Sequence, residues 1–411
     1  MAILAINAGS SSLKFSLHPV LNGQVLPEIL AGSVQGLQPG GTPEFGWTYR
    51  DEKFKGELLI PFGSTAFKAS LDELRALVPK LEGLPEIQAI AHRVVHGGGI
   101  YTSSVLIDDA VLAQLAQFNS LAPLHQPHNL EGIRRFREAF ALVPQVACFD
   151  TAFHAHMPEL NYAFALPREL SAQGVRRYGF HGLSYQYIQS VLQDHSARAN
   201  QRVVMAHLGS GASLCATLNG TSIATTMGFS ALDGLMMGSR CGSIDPGVLL
   251  YLMEQGWDHP RIENLLYKES GLLGVSGLSA DMRTLRAASA SASASASASA
   301  SASKDDHARQ AIAQFTHSVV RETGALVACL EGLDLLAFSG GIGENDPALR
   351  EAACRHLAWL GVRIDERRNR EAQGRNPTAI HAEDSAVEVW VIPTDEGRVA
   401  ARDAAALLCI V

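Results

Sequence analysis

Paired cysteines, a long apolar run and an excess of positive charge are all missing from this chain. Its six cysteines (Cys148, Cys215, Cys241, Cys329, Cys354 and Cys409) are scattered through 411 residues, and none forms a C-x-x-C pair. That spacing speaks against a zinc framework or a disulfide scaffold and leads us to expect reduced thiols in a cytoplasmic protein. No stretch of about 18 apolar residues occurs, so no membrane span is expected. The opening segment has no basic n-region, so no signal peptide is expected either. Lys and Arg number 33 against 41 Asp and Glu, for a formal net charge of -8, with no basic patch. Nucleic acid is therefore not an expected partner. The G-x-x-x-x-G-K-[ST] loop is absent, and no G-x-G-x-x-G follows the first apolar run. These absences set aside a P-loop enzyme and a dinucleotide fold.

What is present suits a large globular protein. Hydrophobic residues make up 47% and charged residues 18%, enough apolar material for substantial cores. The length suggests two or three domains. Residues 2–6 form an apolar run of strand length, broken by Gly9-Ser10-Ser11-Ser12. Leu13, Phe15 and Leu17 then alternate with polar residues, and Asn22-Gly23 follows as a hairpin signal. The same order returns about 200 residues later. Residues 203–206 are apolar, His207-Leu208-Gly209-Ser210-Gly211 breaks them, Leu214, Ala216 and Leu218 alternate, and Asn219-Gly220 supplies the turn. We read this as an ancient duplication.

Elsewhere Ser70-Leu71-Asp72-Glu73 reads as a capping box opening a helix to about residue 81. Asp346-Pro347 reads as the start of another helix, closed by Gly361. Strand-like runs at 87–95, 145–149, 333–339 and 387–392, interleaved with helices, argue for an α/β architecture. Residues 287–303 are almost pure alternating Ala and Ser. Such small side chains bury no core face, so this run is expected to be a dispensable insert or a weak helical extension.

Four glycine-rich turns stand at strand ends: Asn7-Ala8-Gly9-Ser10, His96-Gly97-Gly98-Gly99, His207-Leu208-Gly209-Ser210-Gly211 and Ser339-Gly340-Gly341-Ile342-Gly343-Glu344-Asn345. Successive N–H groups on such turns can cradle phosphate. Arg93 follows an apolar strand, and Arg240 lies between Gly238 and Gly242. A guanidinium so placed suits a phosphate fork, the alternative being a surface salt bridge. Asp150 ends a buried-type strand, where α/β proteins place ligand contacts, and Glu396 ends another apolar run. Two carboxylates with phosphate suit magnesium. His125, His128, His154, His156 and His181 keep a zinc enzyme in view as an alternative, although no H-E-x-x-H spacing occurs. His181, between glycines and aromatics, is the best candidate donor to an oxyanion.

Together these segments resemble the acetate kinase family across nearly the whole chain. The matching motifs run in one order: Asn7-x-Gly-Ser-Ser-Ser-Leu-Lys14, His92-Arg93-Val-Val-His-Gly-Gly98, Ala122-Pro-Leu-His125, Phe149-Asp150-Thr-Ala-Phe-His154, Arg177-Tyr-Gly-Phe-His181-Gly182, Ile244-Asp245-Pro246, Gly340-Gly-Ile-Gly-Glu-Asn345 and Ile392-Pro-Thr-Asp-Glu396. The resemblance implies two duplicated ribonuclease-H-like domains flanking a nucleotide cleft, as in sugar kinases, chaperone ATPases and actin. The first domain would comprise 1–151 and about 394–411, and the nucleotide-binding domain 152–393. The resemblance further implies that Arg93, Arg240 and His181 stabilise the transferring phosphoryl group, that Asn7 positions a phosphate oxygen, and that His125 contacts the acyl phosphate. Asn7, Asp150 and Glu396 would hold Mg2+ or Mn2+. Lys14, His207, Gly209, Ser210, Gly211, Asp281, Met282, Arg283, Gly341, Ile342, Gly343 and Asn345 would serve ATP. Val95, Leu124, Phe180 and Ala231 would line a small acyl pocket. A homodimer is also implied.

Four positions depart from the family pattern. Ser210 stands where Asn is common, Gly99 where Glu is frequent, Ala231 where Pro is frequent and Ser243 where Asp is common. They bear on rate and acyl-chain preference rather than on reaction type. The rival readings are a propionate or other short-chain acyl kinase, and an actin- or chaperone-type nucleotide switch that transfers nothing to a small acid.

Overall fold

The computed structural model describes residues 1–9, 12–37, 41–62, 64–123, 125–294 and 304–411. Ser10, Ser11, Leu124 and the part of the Ala-Ser run at 295–303 lie outside them. Up to that point the Ala-Ser run continues the helix Met282–Ala294. The chain divides into two compact units. The first comprises Met1–Ala155, Gly182–Tyr187 and Asp395–Val411, and the second His156–His181 and Ile188–Thr394. Gly182–Tyr187 thus groups with the first unit, although the sequence assigned it to the second.

The first unit is built on β1 (Ala2–Ala8), β2 (Ser12–Leu21), β3 (Gln24–Val25), β4 (Leu30–Gln35), β5 (Glu44–Tyr49), β6 (Glu52–Glu57), β7 (Ile87–Val94), β8 (Val105–Leu106) and β9 (Gln145–Phe149). The sheet order is β6-β5-β4-β2-β1-β7-β9-β8, with β3 paired to β2. β1 is antiparallel to β2 and parallel to β7, and β7 is parallel to β9. The second unit holds β10 (Val203–Leu208), β11 (Ala212–Leu218), β12 (Thr221–Thr225), β13 (Leu335–Ser339), β14 (Thr378–Ala379) and β15 (Glu388–Val391), in the order β12-β11-β10-β13-β15-β14. Here β10 is antiparallel to β11 and parallel to β13, and β13 is parallel to β15. The run β4-β2-β1-β7-β9 therefore repeats as β12-β11-β10-β13-β15 in order and direction. That is the duplicated ribonuclease-H-like α/β topology. Both hairpins turn where Asn-Gly was read, with positive φ at Asn22, Gly23, Asn219 and Gly220.

Strand alternation explains why β1 is apolar from Ala2 to Ile6. Leu4 and Ile6 join a core with Phe15, Leu74 and Phe136 on one face. Ile3 joins Ala89, Ala91 and Val146 against Ala400, Ala401 and Ala404 of the helix Glu396–Leu407 on the other. Alanines bring this helix close to the sheet. At its first turn a Cβ on Gly397 would lie 2.4 Å from the Ser16 hydroxyl oxygen, so a larger residue would have to push that side chain aside. Close packing thereby fixes Glu396, the first residue of the helix.

Local signals were misread at two places. The helix expected to open at Ser70 runs Ala66–Leu77, with the Thr65 side chain accepting from the Lys68 N–H. Ser70 is buried inside it, and its hydroxyl donates to the Ala66 carbonyl at 2.7 Å. The helix expected to end at Gly361 ends at His356, and a 3-10 turn over Ala358–Leu360 carries the chain to Gly361 at φ 87°. Asp346 does cap it, accepting from the Leu349 N–H.

Candidate active site

In the first unit, parallel strands β1, β7 and β9 end side by side, and the site residues extend from those ends. Asn7 and Lys14 face one another across β1 and β2, which puts their side chains on one face. Lys14 is exposed. Arg93, near the end of β7, forks onto Asp150, just past the end of β9. Its Nε donates to Oδ1 at 3.0 Å and its Nη2 to Oδ2 at 2.7 Å. Its Nη1 meets Glu396 Oε2 at 2.7 Å. Asp150 is 1% exposed. Burial works against the Arg93 charge, but the two carboxylates outweigh it and raise its pKa. Arg93 therefore stays a cation, held by the two carboxylates the sequence assigned to a metal.

Residues that no local motif revealed hold these strand ends. Asn129, in the helix Gln126–Ala139, donates to the Ala8 carbonyl at 2.6 Å and accepts from the Val95 N–H at 3.0 Å. It ties the Asn7 turn to the strand carrying Arg93 and the half-buried Val95. Gln126 accepts from the His96 N–H and donates to the His96 carbonyl. His125 is the N-cap position of the same helix. Burial lowers the pKa of His92 and His96 to about 4, so both rings are neutral near pH 7. The Gly182 N–H donates to the Asp150 carbonyl at 2.9 Å, and a Cβ on Gly182 would lie 2.1 Å from that oxygen. Only glycine allows this approach.

In the second unit, the turn after β10 gathers the remaining groups. His181 has φ 58° and ψ 24°, a left-handed backbone costing a non-glycine residue ~1–2 kcal/mol. Its ring stacks on His207 with centroids 4.3 Å apart, and its Nδ1 lies 2.8 Å from the Ser213 hydroxyl. A Cβ on Gly211 would sit 2.8 Å from Arg240 Nη2 and 3.4 Å from His181 Nε2, so the glycine lets both side chains close on its backbone. Two side-chain nitrogens thus converge at the Gly211 turn. Arg240 is braced by its Nη1, which donates to the Ala231 carbonyl at 2.7 Å. The Gly238 N–H donates to the Ser210 carbonyl at 3.0 Å, tying the arginine segment to the turn. Phe180 is buried.

The other nucleotide-side candidates lie nearby in this unit. A Cβ on Gly209 would come 3.9 Å from the Gly341 nitrogen. Gly340 at φ 75° lies so close to Leu208 that its Cβ would fall 2.7 Å from that carbonyl. Gly340–Asn345, read as a turn, is a short helix that starts directly from β13. Asp281 and Arg283 pair with each other at 2.6 Å on the surface, beside Met282. Arg286, which the sequence reading missed, pairs with Asp346 and links their helix to the end of Gly340–Asn345. Also missed was Glu344, whose Oε1 accepts from the Gly340 and Thr394 N–H groups. Ser243, at one of the atypical positions, donates to Asp233 at 2.8 Å, and Asp233 pairs with Arg177.

The zinc alternative gains nothing from this arrangement. Among the described residues, the group close enough to share an ion is His18 with Glu28 and Asp395. It includes none of the histidines on which that reading rested. Both His18 ring nitrogens are hydrogen-bonded, to Ser16 and to the Leu26 carbonyl.

The model of the Acetokinase family matches residues 2–402. The chain belongs to the acetokinase family. An acetate kinase of Rhodopseudomonas palustris (strain ATCC BAA-98 / CGA009) is 48% identical over 407 residues, covering 97% of this chain and 96% of the relative. Among solved structures, a propionate kinase from Francisella tularensis subsp. tularensis SCHU S4 is similar at 35% identity and TM-score 0.87, covering 98% of each chain. The Porphyromonas gingivalis acetate kinase is similar at 34% identity and TM-score 0.85, covering 99% of each. Acetokinase-family enzymes use ATP as a substrate. No described helix of this chain is long and apolar enough to cross a membrane.

Proposed function

We propose that this chain is a cytoplasmic acetate kinase, converting acetate and ATP reversibly into acetyl phosphate and ADP. The observation that carries the reading is the convergence of Arg240 Nη2 and His181 Nε2 at the Gly211 turn. A phosphoryl group suits such a pair of nitrogens, because charge accumulates on its oxygens during transfer and fixed donors stabilise it. One acetate oxygen attacks the γ-phosphorus, a new O–P bond forms, and the bond from the γ-phosphorus to the β–γ bridging oxygen breaks. ADP leaves with that electron pair. A carboxylate is already nucleophilic, so no strong base is required.

The chain's residues divide the remaining work. Arg93 and Arg240 neutralise phosphoryl charge, Asn7 orients a phosphate oxygen, and His125 contacts the acyl phosphate. Lys14, His207 and Gly209–Gly211 serve the phosphates. Asp281–Arg283 and Gly341–Asn345 serve the adenosine side. Asp150 and Glu396 already hold one cation, Arg93, between them. That donor set of hard oxygens fits Mg2+, with Asn7 adding an amide oxygen. Mg2+ there would neutralise charge on the nucleotide phosphates, and relaxing the carboxylates' hold on Arg93 would free its guanidinium for the phosphoryl group.

Trapping with hydroxylamine over an acetate-to-butyrate series tests the reading. Hydroxamate formed only with ATP and acid supports it, and release of free phosphate alone refutes it. Val95, Leu124, Phe180 and Ala231 set the acyl size in this reading. Propionate should be the poorer substrate by roughly tenfold in kcat/KM, since one methylene is worth only ~1–3 kcal/mol in an apolar pocket. Ala231→Pro should sharpen the preference for acetate by raising KM for propionate. An unchanged ratio would remove residue 231 from the pocket, and an outright preference for propionate would favour the propionate-kinase alternative.

A homodimer is part of the proposal. The helix Pro246–Glu254 buries none of its residues, and Leu250, Tyr251 and Met253 are each more than half exposed. An apolar face of this kind suits the same face on a second copy. Leu250→Asp with Tyr251→Asp should shift the chain to monomer in sedimentation velocity. An unchanged sedimentation coefficient, whether monomeric or dimeric in both proteins, would count against this face.

A further inference from the structure

Residues 229–233 form an arch between two anchored stretches of the second unit, and Ala231 lies at its middle. Before the arch, the Thr226 N–H donates to the Leu214 carbonyl and the Thr226 Oγ1 accepts from the Leu214 N–H, both at 3.0 Å. The Gly228 carbonyl accepts from the N–H groups of Tyr178 and Gly179, in the segment that leads to His181. After the arch, Leu235, Met236 and Met237 are buried, and the Gly238 N–H donates to the Ser210 carbonyl. Residues 229–233 themselves make no backbone–backbone hydrogen bond with any described residue. Side chains must therefore hold the arch. Arg240 Nη1 donates to the Ala231 carbonyl, the Leu232 N–H donates to the Ser230 hydroxyl oxygen, and Ser230 meets Tyr267.

Asp233 closes it. Its Oδ1 accepts from the Gly234 N–H and from the Ser243 hydroxyl, each at 2.8 Å. Its Oδ2 meets Arg177 Nη1 at 3.0 Å, and that nitrogen also donates to the Thr226 carbonyl at 2.8 Å. The same Oδ2 would lie 2.7 Å from a Cβ on Gly228. One carboxylate thus draws the end of the arch back onto its beginning. The Arg177 and Asp233 side chains are 21% and 34% exposed. An ion pair so open to water adds little to overall stability, so its effect here is on the geometry of the arch.

We infer that Asp233 is a positioning residue that keeps the 229–233 arch closed and so holds residue 231 in place beside the small acid. The inference rests on the acyl-kinase reading above, and its test separates the two. The full chain and its Asp233→Ala and Asp233→Asn variants are compared by hydrogen–deuterium exchange of a peptide covering 229–234, by thermal melts and by steady-state kinetics. Asp233→Ala should speed exchange in that peptide, raise KM for acetate by about tenfold, the worth of roughly one hydrogen bond, and leave KM for ATP within about twofold. Its melting temperature should fall by no more than a few degrees, as for loss of a half-exposed ion pair. Asp233→Asn keeps an oxygen for Gly234 and Ser243 but loses the charge facing Arg177, so its exchange and its KM for acetate should fall between those of wild type and Asp233→Ala. It carries the test if Asp233→Ala fails to fold. Unchanged exchange overturns the inference. So does faster exchange with an unchanged KM for acetate, since the arch would then not serve the acid, and so does an equal rise in KM for ATP, which would mean general loosening of the unit. A wild-type chain that makes no acyl phosphate sinks the functional reading, while the exchange data still decide whether Asp233 closes the arch.

Discussion

Replacing Arg240 with alanine should lower kcat by roughly 10²-fold or more while KM for ATP and for acetate changes far less. Arg240 lies against the Gly211 turn with one terminal nitrogen and holds the Ala231 carbonyl with the other. Truncation removes a donor that acts on charge formed during transfer and releases the loop that carries residue 231. Arg93→Ala should cost at least as much in kcat, for a different mixture of reasons. Arg93 is the counter-charge for Asp150, which is 1% exposed, and for Glu396. Without it the two carboxylates repel one another, so Arg93→Ala should also lower the melting temperature, and by more than Arg240→Ala. Steady-state kinetics with thermal melts on both variants checks this. Near wild-type kcat in both would remove the arginines from the chemistry.

The largest effect on stability is expected at Arg350, which takes no part in transfer. Its guanidinium is fully buried among oxygen acceptors: Asn369 Oδ1 at 2.8 Å, the Asn369 carbonyl at 2.7 Å, the carbonyls of Gly343 and Glu344 at 2.9 Å and that of Ala372 at 3.0 Å. Burial lowers its pKa to about 10, so it remains charged at neutral pH. Two of those carbonyls belong to Gly340–Asn345, the helix proposed for the adenosine side. Arg350→Ala strands several buried acceptors and opens a cavity, each of which destabilises by ~1–3 kcal/mol. The sum should be about 3–5 kcal/mol in urea unfolding, at the upper end for a single substitution. At a permissive temperature KM for ATP should rise and KM for acetate should stay nearly unchanged. A stability loss below ~1 kcal/mol would mean that water replaces the guanidinium, which the tight cage argues against.

The parts of the fold that were legible had local causes. Asn22-Gly23 and Asn219-Gly220 announced their hairpins because few other residues accept positive φ in succession. The apolar runs of β1 and β10 announced buried central strands because both faces of each are covered. Ser70 misled because Ser-x-x-Glu marks a helix start only where the serine side chain is free to cap, and here it is buried and bonds backward to Ala66. Gly340–Asn345 was read as a turn because glycine disfavours helix, but its dense packing against β10 and β13 overrides propensity.

The candidate site divides in the same way. Arg93, Asp150, His181 and Arg240 could be picked out because charge beside glycine at a strand end is unusual. Asn129, Gln126, Ser213, Glu344 and Arg350 could not. Most act on a partner brought near by the fold: Asn129 reaches Ala8, and Ser213 meets a histidine on a different element. Glu344 stood within a quoted glycine-rich segment, but its second partner, the Thr394 N–H, is 50 residues away.

The central claim is that a carboxylate oxygen of a small acid attacks the γ-phosphorus of ATP directly. It is tested most directly by incubating the chain with ATP, Mg2+ and acetate labelled with 18O in both oxygens, and following the products by 31P NMR. The account expects acetyl phosphate whose phosphorus signal shows the isotope shift of one directly bonded 18O, formed in step with ADP. Free phosphate without 18O and no acetyl phosphate would contradict it, leaving a nucleotide-hydrolysing switch in place of a kinase.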